Sequence, residues 1–285
     1  MVTVYIGGGL ANKMFQYAFS LGIAKHGYNV AYDTHSFQTE FKHDQVRLDG
    51  IFPNAVLPES EEHYIAAGKT GKLWRIYKRI SPKYVMEHAY QYNADAFKQI
   101  RGNCYVESSW QDERYFIDAE KEVRHAFEFT PFQDERNQKV ADEMRNSNSV
   151  AIHIRKGDGY GTWDIFSNTC ERDYYDRAIN LIRSRVDNPR FYVFTDKPEI
   201  AEKYLCIKDY TLINWNPTTG AGNYLDMQLM SCAHHNIIAN STYSWWGAWL
   251  NPNQDKIVIG PKYWFNPQSS LADVNHIIPS NWIKL

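Results

Sequence analysis

His153, Ile154, Arg155, Lys156, Gly157 and Asp158 stand in a row near the middle of the chain, directly after the alternating segment Ser149 to Ile152. Side chains alternate along a strand, so Ile152 and Ile154 should share one face while His153 and Arg155 share the other. In an open parallel sheet both would lie near the strand's carboxyl end, where such sheets bind ligands. Arg155 offers a planar fork of donors suited to a pyrophosphate. Asp158, three residues on, is near enough in sequence to orient that fork or to meet a substrate hydroxyl. Taken alone, the segment is more simply a satisfied internal histidine and an Arg–Asp ion pair.

A second constellation is LDMQLMSCAHHNIIANSTYSWWGAWL, residues 225–250. Asp226 opens a helix there, and Asn240, Ser241 and Thr242 stand after a short strand and just before another helix. A helix start with free amides and two hydroxyls suits an anion, although simple capping accounts for the same residues. Trp245, Trp246 and Trp249 read as packing rather than ligand contacts. A third constellation is GGGLANKMFQ, residues 7–16. Gly7 and Gly9 begin like a dinucleotide-binding turn, but Asn12 replaces the third glycine, so the fingerprint of a Rossmann dehydrogenase fails.

Elements able to position these groups follow from the hydrophobic rhythm. Val2 to Ile6 reads as a strand, and Met14, Phe15, Ala18, Leu21 and Ile23 recur at helical spacing after the glycines. Asn29 to Tyr32 closes a βαβ unit. From Asp49 to about Gly102 the pattern breaks into turns and patches such as KLWRIYKRI and is left unassigned. Tyr105 to Ser108 reads as a strand, Tyr115 to Phe127 as a helix, and residues 138–148 as a helix leading into a second half. That half continues as strand Ser149 to Arg155, helix Asp173 to Val186, strand Phe191 to Thr195, helix Leu225 to Ala233, strand Asn236 to Ala239, helix Trp245 to Leu250 and strand Lys256 to Ile259. Alternating strands and helices on both sides of a break predict an α/β fold of two Rossmann-like domains facing a cleft. The expected domains are 1–135 and 149–260, with a polar tail, 261–285, able to cross back to the first.

Composition removes several classes. The 285 residues carry 31 basic and 33 acidic side chains, a balance without the basic surplus of a nucleic-acid binder. The four cysteines lie at least 26 residues apart, which gives no close metal-ligand pair and no disulfide scaffold and fits a reducing cytoplasm. The opening residues lack a basic region before an apolar core, so no signal peptide is expected. Met227 to Gln254 is uncharged for 28 residues, yet its histidines, asparagines and hydroxyls would be costly in lipid. The expected location is therefore cytoplasmic, with at most peripheral contact at the inner membrane.

Together, GGGLANKMFQYA, HIRKGD, FYVFTD at 191–196 and DMQLMSCAHHNIIANSTYSWWGAWLNP resemble, in order and spacing, the bacterial α-1,2-fucosyltransferases, glycosyltransferase family eleven. The resemblance is weakest from about 50 to 100. It implies a GT-B-type fold, GDP-fucose as donor, inversion at the anomeric carbon, and neither a metal nor a cofactor. Carried to this chain, it places Arg155 on the donor pyrophosphate and His153 beside the nucleotide. Asp226 accepts from guanine, while Ser241, Thr242 and the neighbouring amides hold phosphate, and Asn240 is a further donor-binding residue. Gly9 and Asn12 close over the donor from the first domain. Ala11, Lys13 and Lys197 depart from the family's usual residues, which bears on Asn12 and Asp196.

The expected activity is transfer of L-fucose from GDP-fucose to the 2-hydroxyl of a galactose-like acceptor in O-antigen or surface-polysaccharide synthesis. Arg155 and Asp158 are the expected catalytic residues. The acceptor is a galactose-terminated oligosaccharide or a lipid-linked glycan. Two alternatives stand beside it: another GDP-sugar transferase with a different linkage, and a catalytically silent nucleotide- or sugar-binding protein.

Overall fold

The computed structural model describes residues 1–34, 46–58, 72–157 and 165–285. The chain divides into two compact units, Met1–Thr130 and Pro131–Leu285. Both are α/β, and every strand pairing in their two sheets is parallel.

In the first unit β1 (Val2–Tyr5) leads through the glycine turn into α1 (Leu10–Lys25), and β2 (Val30–Asp33) returns beside β1. The unassigned middle contains α2 (Lys72–Ile80) and β3 (Tyr84–Val85), followed by α3 (Ala96–Gln99) and β4 (Cys104–Val106). The sheet order is β2-β1-β4-β3. The helix expected from Tyr115 is instead two 3-10 turns, Glu113–Tyr115 and Ile117–Ala119, before α4 (Glu120–Ala126). Asp112 accounts for this local break, because its carboxylate caps the first turn by accepting from the Arg114 amide at 2.9 Å. Helix α1 is buried around most of its circumference, with Phe19 packed on Trp110 and Tyr115 at centroid distances of 4.2 and 4.9 Å. Such all-round burial is what an apolar helix without a charged face requires.

The second unit opens with α5 (Glu135–Arg145) and the fully buried strand β5 (Ser149–Ile154). Then come α6 (Arg172–Arg183), β6 (Arg190–Thr195), α7 (Ala201–Tyr204) and β7 (Thr211–Ile213). The last elements are α8 (Leu225–Ser231), β8 (His235–Ile237), α9 (Thr242–Leu250), β9 (Val258–Gly260) and β10 (Ile283–Lys284). Sheet order is β10-β9-β8-β5-β6-β7. Val150, Ile152 and Ile154 face one core with Tyr174, Ile179 and Ile182 of α6, whereas Ala151 faces another with Met144 and Leu229. Burial on both faces suits a central parallel strand.

The tail differs from expectation. It adds β10 to the sheet of the second unit, with Ile283 opposite Ile259. Val274, Ile277, Ile278 and Trp282 are buried there. The Trp245 indole donates to the Ile277 carbonyl at 2.8 Å, and Trp282 lies 5.5 Å from Trp245. The few apolar residues of a polar segment find their cover in the tryptophans of α9.

Candidate donor site

Parallel pairing of β5 with β6 puts Ile154 opposite Thr195, so the residues one step beyond, Arg155 and Asp196, emerge side by side at the carboxyl edge. Arg155 Nη1 donates to Asp196 Oδ2 at 2.5 Å. The same carboxylate accepts from the backbone amides of Gly157 at 2.7 Å and Lys156 at 3.2 Å. Asp196 thus fastens both the guanidinium and the turn that carries it. A Cβ at 157 would stand 2.0 Å from Asp196 Oδ2, so any larger residue there must displace the carboxylate. Arg155 keeps 27% of its side chain exposed against 11% for Asp196, so the clamp is buried while the guanidinium still reaches solvent. Lys156 is drawn away to Glu171 at 2.9 Å.

His153 lies inside, with its carbonyl accepting from the Tyr175 hydroxyl at 2.9 Å. Its Nδ1 is buried and has no hydrogen-bond partner among the described residues. Burial first, and then the charge of Arg155, pushes its pKa down to about 3. The imidazole is therefore neutral at ordinary pH in the ligand-free chain.

Tyr243, in the first turn of α9, lies 6.0 Å from the His153 ring. Its hydroxyl accepts from the Met227 amide at 2.9 Å and donates to the Asn223 carbonyl at 2.6 Å, tying α9 to the start of α8. Its pKa is raised far above the usual phenol range by burial and then by Asp226, so it remains a neutral strut between the arginine edge and the carboxylate. Asp226 Oδ1 accepts from Asn216 Nδ2 at 2.8 Å, and Oδ2 has no hydrogen-bond partner among the described residues. Burial pushes this carboxyl up to about 6, only partly offset by the Asn216 bond. It is ionised at neutral pH, and a ligand with paired N–H donors suits it.

Behind Asp226 stands an amide relay that sequence reading missed. Asn137, fully buried in α5, donates to Asn216 Oδ1 at 2.7 Å and accepts from Asn216 Nδ2 at 3.1 Å. Its remaining valences go to Asp134 Oδ2 at 2.9 Å and the Trp215 indole at 3.0 Å. Every polar atom of Asn137 is used.

Ser241 is the N-cap residue of α9 and is buried, but its hydroxyl makes no capping bond. Thr242 opens the helix. Asn240 donates to the carbonyls of Phe166 at 3.2 Å and Trp264 at 3.1 Å, so its amide nitrogen fastens two loops. Thus the second unit brings together Arg155, His153, Asp226 and the start of α9. Gly9 and Asn12 belong to the first unit, where Gly9 caps α1 and Asn12 Oδ1 accepts from Gln111 at 3.1 Å. Gly8 supplies the left-handed turn, φ +80°, that precedes them. Asp158 lies outside the described residues. Asp196 was visible at the end of FYVFTD but not as the partner of Arg155. No helix among the described residues is long and apolar enough to cross a membrane.

The fold is shared with solved fucosyltransferases at low identity. A mutant of Arabidopsis thaliana FUT1 in complex with GDP aligns with a TM-score of 0.51 and 12% identity, over 92% of this chain and 70% of that one. NodZ alpha-1,6-fucosyltransferase co-crystallised with GDP, a Bradyrhizobium protein, gives 0.50 and 12% over 86% and 90%. These are GT-B-type α/β structures. In sequence, an Escherichia coli alpha-1,2-colitosyltransferase is 29% identical over 100% of this chain and 99% of its own length. The E. coli O-antigen biosynthesis glycosyltransferase WbnK is 39% identical over 49% of this chain and 45% of its own. The model of Glycosyl transferase family 11 matches residues 1–285, and the chain is a glycosyltransferase belonging to that family.

Proposed function

We propose that the protein is an inverting, metal-independent fucosyltransferase that moves L-fucose from GDP-fucose to the 2-hydroxyl of a galactose-like acceptor in surface-glycan synthesis. The observation that carries this reading is the pairing, in one unit, of a clamped guanidinium with a half-buried carboxylate, one oxygen of which has no hydrogen-bond partner among the described residues. Asp226 accepts from guanine N1–H and N2–H. Arg155, held by Asp196, meets the pyrophosphate together with Ser241, Thr242 and the first amides of α9. Neutral His153 lies beside the nucleotide.

In the reaction the acceptor oxygen attacks the anomeric carbon, and the bond from that carbon to the β-phosphate oxygen breaks. Charge grows on the departing phosphate, where Arg155 and the helix-start donors stabilise it. GDP leaves without protonation by an acid. The hydroxyl proton passes to the Asp158 carboxylate. No cofactor takes part, and the acceptor is a galactose-terminated oligosaccharide or lipid-linked glycan.

A second reading is favoured by the full-length similarity to an alpha-1,2-colitosyltransferase. Colitose is fucose without its 3-hydroxyl, so the same phosphate and guanine contacts serve either sugar. Steady-state turnover with GDP-fucose and GDP-colitose in parallel decides between them. A higher kcat/KM for GDP-fucose supports the first reading, a higher value for GDP-colitose replaces it with the second, and consumption of neither makes the chain a nucleotide binder.

A further inference from the structure

Helix α2 is the most unbalanced surface of the first unit. Leu73, Ile76 and Ile80 are 84%, 54% and 74% exposed, and Tyr77 is exposed beside them. At ~100° per residue these four positions form one continuous apolar stripe along the helix. The adjoining flank carries Lys72, Arg75 and Arg79, none of which forms an ion pair among the described residues. No carboxylate occurs between Lys72 and Ile80.

The third flank explains why the stripe cannot simply turn inward. Trp74 packs edge-on against Tyr84 of β3 at 5.5 Å, and Lys78 donates to Glu107, just past β4, at 2.6 Å. These two residues fix the rotation of the helix about its axis. The apolar stripe is thereby held outward with cations along its free edge.

The core of a protein interface is depleted of charged residues, lysine among them, although arginine is enriched at interfaces. An apolar stripe bordered by Lys and Arg that form no ion pair among the described residues complements a surface that is apolar inside and negative at its rim. We infer that α2 docks the enzyme on an anionic lipid surface, with Leu73, Ile76, Tyr77 and Ile80 entering the acyl boundary and Lys72, Arg75 and Arg79 meeting headgroup phosphates. The inference rests on α2 alone and is independent of the donor or acceptor assigned above.

Vesicle flotation of the full chain tests it, using phosphatidylcholine alone and phosphatidylcholine with roughly one third phosphatidylglycerol, at about 0.1 M and about 0.5 M salt. The protein should float with the anionic vesicles at low salt and weakly or not at all with neutral ones. Replacing Lys72→Gln, Arg75→Gln and Arg79→Gln together should lower the partition coefficient about 100-fold, near fivefold for each cation. Leu73→Ser, Ile76→Ser and Ile80→Ser together should lower it at least ~10-fold without salt dependence accounting for the loss. All six side chains are exposed, so unchanged melting temperature and circular dichroism should accompany both changes. Failure of the native chain to float, equal flotation on neutral vesicles, or unaltered flotation of both variants overturns the inference. So does sedimentation showing that the serine variant breaks a dimer while the native chain ignores vesicles, which would make α2 a self-association face.

Discussion

Replacing Asp226 by Asn should make the ligand-free protein more stable while destroying its hold on GDP. The carboxyl titrates near 3.8 in an unfolded chain and is pushed up to about 6 when folded. Between those values the folded state binds more protons than the unfolded one, so stability falls as pH rises through the window and the loss is complete above it. At ~1.4 kcal/mol for each tenfold change in acidity, the cost at neutral pH is at most about 3 kcal/mol. The side chain still meets some solvent, and we expect a gain of about 1–3 kcal/mol for Asp226→Asn at pH 7. Asparagine retains an oxygen for Asn216 and cannot ionise. It also presents an N–H pair where guanine presents donors, so losing one charge-assisted bond and opposing another should weaken GDP ~100-fold or more. Native GDP affinity should itself decline below about pH 6, roughly tenfold per pH unit, as Asp226 takes up a proton. Urea denaturation at pH 4 and pH 7, with and without GDP, reads all of this. A variant less stable than the native protein at pH 7, or one whose GDP stabilisation persists, would refute the reasoning.

Arg155→Ala should leave a folded protein with turnover lowered by ~10²-fold or more, and Arg155→Lys should restore only part, because an ammonium lacks the fork; near-normal kcat for Arg155→Ala removes the residue from the mechanism. Gly157→Ala should displace the Asp196 carboxylate, cost about 1–3 kcal/mol in chemical denaturation and reduce turnover at least ~10-fold, whereas native values would show that the clamp is dispensable. Asn137→Ala should loosen Asp226 through Asn216 and raise the KM for GDP-fucose more than it lowers kcat, with reduced preference for GDP over ADP in binding assays; an unchanged preference argues against the relay. Activity should survive exhaustive EDTA treatment, since the proposed phosphate partners are a guanidinium, hydroxyls and amides. Complete loss restored by one divalent ion per chain would contradict that.

The placement of His153 and Arg155 at the carboxyl end of β5 was legible because alternation along a strand is a local property. The partner of Arg155 was not. Asp158, three residues on, was read as able to orient Arg155 or to meet a substrate hydroxyl and lies outside the described residues, whereas Asp196 is 41 residues away and reaches Arg155 through the register of two parallel strands. Pairing register across a parallel sheet leaves no trace in either segment alone, although two strands each ending in a charged residue could have prompted the match. The Asn137 to Asn216 amide pair, 79 residues apart, lacks even that signal, because asparagine in a helix and a loop marks capping and turns just as often. KLWRIYKRI was visible as a basic and aromatic patch. Its helical periodicity at Leu73, Ile76, Tyr77 and Ile80 spans barely two turns, too little to assign without the sheet that anchors Trp74 and Lys78. The tail misled for the opposite reason: its polar average concealed Val274, Ile277, Ile278 and Trp282, whose spacing follows the surface they cover rather than any repeat.

The central claim concerns which bond is made. Incubation of the protein with GDP-β-L-fucose and a β-galactoside, followed by two-dimensional NMR of the isolated product, reads donor, linkage and stereochemistry together. The account predicts stoichiometric GDP release and a fucosyl residue in the α configuration, with its anomeric proton correlated to galactose C2. A β-fucoside, a linkage to any other hydroxyl, or an unconsumed donor would contradict it.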